Sequence, residues 1–232
     1  MTSLVKALEG TLIVSCQAYP GEAMRDPRTM AQVAAAVETG GASAVRAQGL
    51  EDIRQVAAAV DVPVIGIWKD GTEGVFITPT LEHCRAVVEA GADILALDGT
   101  ERPRPDGRSF AQTVVAVREF FDGPLMADCD SVDSALAAAE LGVEIIGTTL
   151  AGYTGARPLT DGPDLALLSE LSGRLPASSV LVAEGRVHTP AQAAAARAAG
   201  AYAVVVGTAI THPTTITGWF RKAVEGVAGR QG

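Results

Sequence analysis

Eight short runs rich in β-branched residues recur along this 232-residue chain, with alanine-rich segments of helical spacing between them. We predict a strand at each run, over residues 11–17, 43–48, 63–69, 94–100, 124–130, 144–150, 180–186 and 202–208. Runs that are apolar at nearly every position are typical of parallel strands buried on both faces. Eight alternations fit a closed (β/α)8 barrel better than an open doubly wound sheet, and no Gly-x-Gly-x-x-Gly turn follows the first strand.

Two stretches, ITPTLEHCRAVVEAGADILALD and VHTPAQAAAARAAGAYAVVVG, show the repeating unit most clearly. Both run from Thr-Pro through an alanine-rich helix and Gly-Ala to a strand. Candidate N-caps are Thr78 and Thr189, each before a proline at the first helical position, and Ser131. Glycines that close many helices fit left-handed C-caps. Because no linker or low-complexity tract interrupts the pattern, we expect one α/β domain over residues 1–232, a single-domain (β/α)8 TIM barrel.

Composition argues against several kinds of partner. Hydrophobic residues make up 48% of the chain, but no apolar stretch reaches the roughly 20 residues that cross a membrane, so we expect a soluble protein with no membrane partner. A net charge of −9 argues against nucleic acid, since phosphate backbones are bound by clustered Lys and Arg. The N-terminus lacks a secretory signal, which predicts a cytoplasmic protein. Three scattered cysteines and histidines without ligand spacing predict no metal site.

Polar residues or glycines stand at the C-terminal end of nearly every predicted strand. They are Gln17, Arg46, Lys69, Asp98, Asp128, Thr148, Thr149, Glu184, Arg186, Gly207 and Thr208. Any one of them alone is better explained as a helix cap or a strand-end residue. In a (β/α)8 barrel, however, these ends meet at the rim that carries the active site, so their convergence predicts an active site.

Lys69 follows the apolar run VPVIGIW, and Glu184 follows VLVA four strands away, across the barrel. With apolar strand ends around it, Lys69 would be explained as a lysine whose stem covers Trp68. In a partly desolvated mouth, a lysine instead loses its proton near neutral pH and becomes a base or a Schiff-base nucleophile. A base and an acid on two sides of one carbon suit proton transfer at a stereocentre.

The segments EGR at 184–186 and VGTAI at 206–210 follow the last two strands, where such barrels often bind a phosphate. Gly185 and Gly207 let the backbone approach an anion closely, and we expect Arg186 and Thr208 to add side-chain contacts. A tight βα turn explains the same glycines without any ligand. Loop 100–108 carries three arginines and is interpreted as either solvated or functional.

The chain resembles the N-acetylmannosamine-6-phosphate 2-epimerases of sialic acid catabolism. The resemblance rests on nine motifs in order: LIVSCQA, GASAVRAQG, VPVIGIWK, VFITPT, AGADILALD, LMADCD, GTTLAGYT, VAEGRVHTP and GAYAVVVGTAIT. It implies a cytoplasmic (β/α)8 enzyme, commonly a homodimer. The implied reaction interconverts N-acetylmannosamine 6-phosphate and N-acetylglucosamine 6-phosphate without a cofactor.

The same resemblance assigns roles by position. It places Lys69 as the acid/base at C2, and Glu184 as the second acid/base or as the group that orients the sugar hydroxyls. The residues expected around the sugar and its N-acetyl group are Gln17, Arg46, Asp128 and Thr148, and those expected at the phosphate are Gly185, Arg186, Gly207 and Thr208. The loop DGTEG after Lys69 is shorter than in the family pattern, and His212 stands where an arginine is frequent.

Two other functions are compatible with the same residues. A class I aldolase also uses a barrel, a strand-end lysine and a glutamate, with the lysine forming a Schiff base. A sugar-phosphate sensor would keep the barrel and its binding site but not the turnover. Retention of both Lys69 and Glu184 argues against the sensor, whereas borohydride trapping on Lys69 would distinguish the aldolase. In the epimerase, a C2 proton α to the C1 aldehyde is removed to give an enolate.

Overall fold

In a computed structural model that describes residues 1–228, eight parallel strands close into a barrel, and each strand pairs with its neighbours in chain order. This confirms the predicted fold. The strands are β1 Leu12–Cys16, β2 Ala44–Gln48, β3 Val64–Ile67, β4 Ile94–Asp98, β5 Leu125–Asp128, β6 Ile145–Gly147, β7 Val180–Ala183 and β8 Ala203–Val206. The barrel closes through parallel pairing of β1 with β8.

Helices follow the strands around the outside of the barrel. Those in the described residues are α1 Ser3–Ala7, α2 Pro27–Thr39, α3 Leu50–Ala57, α4 Leu81–Glu89, α5 Phe110–Val117, α6 Val132–Glu140, α7 Leu165–Ser172, α8 Pro190–Ala198, α9 Thr208–Thr211 and α10 Pro213–Ala228. No helix within residues 1–228 is long and apolar enough to cross a membrane.

Both faces of the strands are buried, which explains why the strand runs are apolar throughout. Side chains on one face fill the barrel interior, among them Ile13, Ile65 and Ile145. Side chains on the other face pack beneath the helices in a second cluster. Val5 and Leu8, from α1 and the residue after it, join the interior cluster at the N-terminal ends of the strands. Polar groups are therefore concentrated at the opposite, C-terminal mouth.

Two of the three predicted helix caps are confirmed. Ser131 and Thr189 each form a capping box at the start of α6 and α8. The prediction for Thr78 is wrong, because α4 begins at Leu81 and its cap is Thr80, whose extended backbone suits that role. Thr78 instead has a left-handed backbone, with φ 47°, and is fully buried.

The glycines predicted as left-handed helix stops do have positive φ, and they are Gly41, Gly91, Gly142 and Gly200. Several strands end earlier than predicted. β3 stops at Ile67, β7 at Ala183 and β8 at Val206, because parallel pairing ends there and the chain turns into the βα loops. Lys69 and Glu184 accordingly lie just beyond their strands, which places both at the mouth of the barrel.

Candidate active site

A cleft of about 1250 Å³ opens at the C-terminal ends of the strands. Many of the predicted site residues line it, namely Gln17, Lys69, Thr149, Glu184, Gly185, Arg186, Gly207 and Thr208. They come from five different βα connections, after β1, β3, β6, β7 and β8, so only closure of the barrel brings them together.

Lys69 lies at the cleft on the loop that follows β3. Its Nζ donates a hydrogen bond of 2.7 Å to Oε1 of Gln17, and lies 5.9 Å from the centre of the Tyr19 ring. Burial, together with the positive charge of Arg46, lowers the pKa of Lys69 to about 8, although the carboxyl groups of Glu184 and Asp128 oppose the shift. Roughly a tenth of such an amine is neutral at pH 7, so a base is available near neutrality.

Arg46 lies beneath the cleft and is only 1% exposed. Its guanidinium donates two hydrogen bonds to Asp128, of 2.9 and 2.5 Å, and a third, of 2.7 Å, to Oε2 of Glu184. A planar guanidinium is suited to such paired contacts. Asp128 is itself fully buried and also accepts a 2.6 Å bond from the Thr149 hydroxyl. One buried cation thus serves two carboxyl groups.

Glu184 sits between this buried network and the cleft, with 12% of its side chain exposed. Burial, with the nearby charge of Asp128, raises its pKa, while Arg46 and Lys69 act in the opposite direction. A carboxyl group with a raised pKa can hold or donate a proton near neutral pH. The Lys69 and Glu184 side chains therefore form an acid–base pair around one cleft.

Thr148 holds the backbone of Glu184. Its hydroxyl accepts from the Glu184 N–H at 3.1 Å and donates to the Glu184 carbonyl at 3.0 Å. Since that hydroxyl is engaged and the residue is only 3% exposed, its observed contacts are positional, and Thr149 lines the cleft in its place. Arg46 likewise bonds the Glu184 carboxyl group from below, and Asp128 is bonded to Arg46. Direct contact of these three residues with a substrate stays a prediction.

The glycine-containing turns lie on the far side of the cleft. Gly185 has a φ of 105°, which glycine adopts without strain, and a Cβ at Gly207 would lie 3.3 Å from Cβ of Ser15. Gly207 precedes the short helix α9, whose first N–H groups have no acceptor within the helix. The close packing against Ser15 explains the glycine at 207 without a ligand, and contact of this backbone with a phosphate stays a prediction.

Arg186 has contacts that its motif did not indicate. Its guanidinium donates to the carbonyl oxygens of Ala151 and Gly162, at 2.8 and 3.1 Å, and to the Thr160 hydroxyl at 3.1 Å. It also lies over the ring of Tyr153, 5.0 Å from the centre. The side chain thus anchors the loop after β6 at the edge of the cleft, and its contact with a phosphate stays a prediction.

Two lining groups were not assigned roles from the sequence. The Tyr19 ring packs at a tilt of 54° against His212, with ring centres 4.8 Å apart, and the Tyr19 backbone N–H donates to the Glu22 carboxyl group at 2.7 Å. Arg102 reaches the cleft through an ion pair of 2.7 Å with Asp98, which is buried at the end of β4. Tyr19 has no sequence signal beyond proximity to a strand end, whereas Arg102 belongs to the arginine-containing loop 100–108, which lies at the cleft edge through this residue. Within residues 1–228, no three side chains of metal-ligating type are grouped together.

The barrel and the acid–base pair at its mouth define the class of protein, a (β/α)8 enzyme that moves protons on a small substrate. The family is also shown. A family model described as "Putative N-acetylmannosamine-6-phosphate epimerase" matches residues 30–226, and the chain belongs to this family.

Comparison with individual relatives gives the same family. A Cutibacterium acnes protein named "Putative N-acetylmannosamine-6-phosphate 2-epimerase" is 59% identical over 221 residues, which cover 95% of this chain and 96% of the relative. A Corynebacterium glutamicum strain R protein with the same name is 48% identical over 94% of this chain and 95% of its own length. Among solved structures, the N-acetylmannosamine-6-phosphate 2-epimerase of Clostridium perfringens superposes with a TM-score of 0.90 at 34% identity, covering 96% of each chain.

Proposed function

We propose that this protein is an isomerase that interconverts N-acetylmannosamine 6-phosphate and N-acetylglucosamine 6-phosphate in amino-sugar and sialic acid breakdown. It removes and returns the proton at C2 and uses no cofactor. The observation that carries the proposal is the pairing, around one cleft, of an amine with a pKa of about 8 and a carboxyl group with a raised pKa. Family membership specifies the sugar.

The chemistry requires one proton to leave and one to arrive. In the ring-opened sugar, the C2 proton is acidic because it is α to the C1 aldehyde. Neutral Lys69 takes this proton. The electron pair of the C2–H bond forms a C1–C2 double bond while the carbonyl pair moves to the C1 oxygen, which gives an enolate. A proton held by Glu184 can stabilise the new oxyanion by a hydrogen bond, or be delivered to C2. Return of a proton to the opposite face inverts C2, with no net gain or loss of atoms.

The phosphate serves as a handle for the reacting carbon. We assign it to the backbone around Gly185, Gly207 and Thr208, on the support of their position at the cleft after the last two strands. A fixed phosphate restricts how the open chain can lie between Lys69 and Glu184. Such positioning supplies much of the barrier reduction that acid–base groups alone, at about 10²–10⁴-fold, do not provide.

Proton NMR in heavy water tests the proposal directly. With N-acetylmannosamine 6-phosphate, the C2 proton signal is expected to disappear as solvent deuterium enters, while N-acetylglucosamine 6-phosphate accumulates. If the sugar is cleaved and borohydride traps it covalently on Lys69, the protein is an aldolase and the proposal is wrong. If the sugar binds but neither exchanges nor converts, the barrel is a sensor, and the proposal is equally wrong.

We also propose that the whole chain is one catalytic domain, acting as a cytoplasmic homodimer. Helix α10 supports the dimer, because Phe220 and Val224, one turn apart on the same helix face, are 70% and 73% exposed. Light scattering is expected to give twice the chain mass, and Phe220→Asp to reduce it to that of a monomer. A wild-type protein of single-chain mass would refute the dimer without affecting the epimerase assignment.

A further inference from the structure

Lys69 is carried on a small antiparallel hairpin rather than on β3 itself. After Ile67 the chain leaves the barrel, and Lys69 pairs with Ile77 in an antiparallel bridge. The N–H of Asp70 donates to the carbonyl of Phe76 at 3.0 Å, in the next pair toward the tip. The reactive amine therefore depends on a two-armed loop whose arms are residues 68–70 and 76–78.

Thr78 closes the base of this hairpin. Its N–H donates to the Trp68 carbonyl at 2.8 Å, and its hydroxyl accepts from the Trp68 N–H at 3.2 Å. The side chain is fully buried. Trp68 immediately precedes Lys69, so both polar groups of its backbone are fixed by one residue. The hydroxyl supplies an acceptor that a parallel strand would otherwise have provided.

The backbone of Thr78 is strained. A φ of 47° is rare for any residue other than glycine and is a clear outlier for a β-branched one. Arg186, also at the cleft, is the other non-glycine residue in residues 1–228 with positive φ. Strained residues persist where the surrounding structure over-determines them, and they cluster at active sites. A strained threonine at the root of the loop that carries a reactive lysine is consistent with that pattern.

We propose that Thr78 is a positioning residue for Lys69, which fixes the hairpin through its hydroxyl and its left-handed backbone. The proposal rests on the proposed role of Lys69 as the acid/base. In this role Thr78 contacts no reacting atom. It acts by holding the amine at its hydrogen bond with Gln17, in the partly desolvated position from which the C2 proton is reached.

Displacement of Lys69 is expected to change the pH dependence of the reaction rate. The charged groups that face Lys69 are Arg46 from β2, Asp128 from β5 and Glu184 after β7, and the Tyr19 ring lies over it from the loop after β1. Burial is the largest cause of its lowered pKa. A loosened hairpin admits water, so the pKa rises toward the ordinary lysine value and the acid limb of the rate profile moves to higher pH.

Three substitutions of Thr78 separate the hydroxyl from the strain. Thr78→Val keeps the shape and removes the hydroxyl, Thr78→Gly removes both the hydroxyl and the strain, and Thr78→Ser keeps the hydroxyl. Thr113→Val is the matched control, since Thr113 in α5 is fully buried and its hydroxyl donates to the carbonyl of Ser109, the N-cap of that helix, remote from the cleft. Epimerisation is measured as kcat and KM across pH, with the melting temperature of each variant.

For Thr78→Val and Thr78→Gly we expect kcat to fall about 10–100-fold, KM to stay within about threefold, and the acid limb to move to higher pH. Thr78→Ser is expected to stay within about threefold of wild type with its limb in place. Thr113→Val is expected to lose melting temperature only. If Thr78→Val does not fold, Thr78→Gly carries the test, because glycine accepts this backbone without strain.

A wild-type kcat and limb in Thr78→Gly would overturn the proposal, as would equal losses in Thr78→Ser and Thr78→Gly. The same shift in the pKa of Lys69 can be measured without turnover. For this, the rate at which Lys69 reacts with an amine-specific acylating reagent is followed by mass spectrometry as a function of pH. A wild-type enzyme that does not epimerise refutes the proposed function. An unshifted acylation profile in Thr78→Gly refutes the positioning role alone.

Discussion

The two sides of the cleft hold their reactive groups in opposite ways. Glu184 is fixed by strong, buried contacts, since Arg46 bonds its carboxyl group and Thr148 bonds its backbone twice. Lys69 has one side-chain hydrogen bond, to Gln17, and a short hairpin beneath it. Ionic hydrogen bonds thus fix Glu184, whereas the backbone geometry of the hairpin positions Lys69 and keeps its amine partly desolvated.

The difference shows how one site can tune two groups toward the same pH range. Asp128 and Glu184 share the single guanidinium of Arg46, so one negative charge lacks a buried partner unless Lys69 is protonated. This favours a proton on Glu184 whenever Lys69 is neutral, which is the state that the proposed reaction requires. The carboxyl side thus needs a charge network, whereas the amine side mainly needs exclusion of water.

Removal of the amine is expected to have the largest effect. Lys69→Met keeps an apolar stem in place and removes the base, so kcat should fall about 10⁴-fold, or about 5.5 kcal/mol of activation free energy. Binding of the phosphate sugar, measured by calorimetry, should weaken by less than about tenfold. A variant that retained even about a tenth of wild-type turnover would remove Lys69 from its role.

The charge network is expected to contribute to folding as well as catalysis. Arg46→Met leaves two buried carboxyl groups without their cation, and the free energy of unfolding should drop by about 3–5 kcal/mol in urea titrations. Arg174→Met, which breaks a surface pair with Glu170 that is about half exposed, should cost less than about 1 kcal/mol. Equal losses in the two variants would show that the buried network has no special weight.

Glu184→Gln isolates proton transfer from charge pairing on the carboxyl side. The amide keeps the shape and can still contact Arg46, but it cannot hold a transferable proton. We expect kcat to fall about 10²-fold with a smaller change in stability than in Arg46→Met. If the amide variant exchanges the C2 proton with solvent as fast as wild type but epimerises slowly, Glu184 acts on one face only. Unchanged kcat would show that it merely orients hydroxyl groups.

The sequence predicts the barrel and the position of its active-site mouth better than the side-chain contacts within the site, for physical reasons. Strand and helix patterns are local, so the barrel and its C-terminal mouth follow from spacing alone. The partners of Arg46 lie 82 and 138 residues away, and no local pattern links them. Thr78 was assigned as a cap because Thr-Pro begins the similar helix after β7, but a second threonine, Thr80, takes that place. Side-chain partners depend on tertiary packing that local spacing does not specify.

The smallest expected effect concerns the direction in which the amine side responds. Gln17→Leu removes the acceptor of the Lys69 hydrogen bond, and because that bond favours the ammonium form, its loss should lower the pKa of Lys69 further. The acid limb of the rate profile, which the Lys69 pKa of about 8 predicts near pH 8 in the wild type, should therefore move to lower pH, with kcat reduced about tenfold or less. This shift is opposite in sign to the one expected from a loosened hairpin. If the acid limb moves to higher pH in Gln17→Leu, the glutamine excludes water from Lys69 more than it stabilises the ammonium charge. The Gln17 hydrogen bond and the hairpin would then both lower the pKa of Lys69.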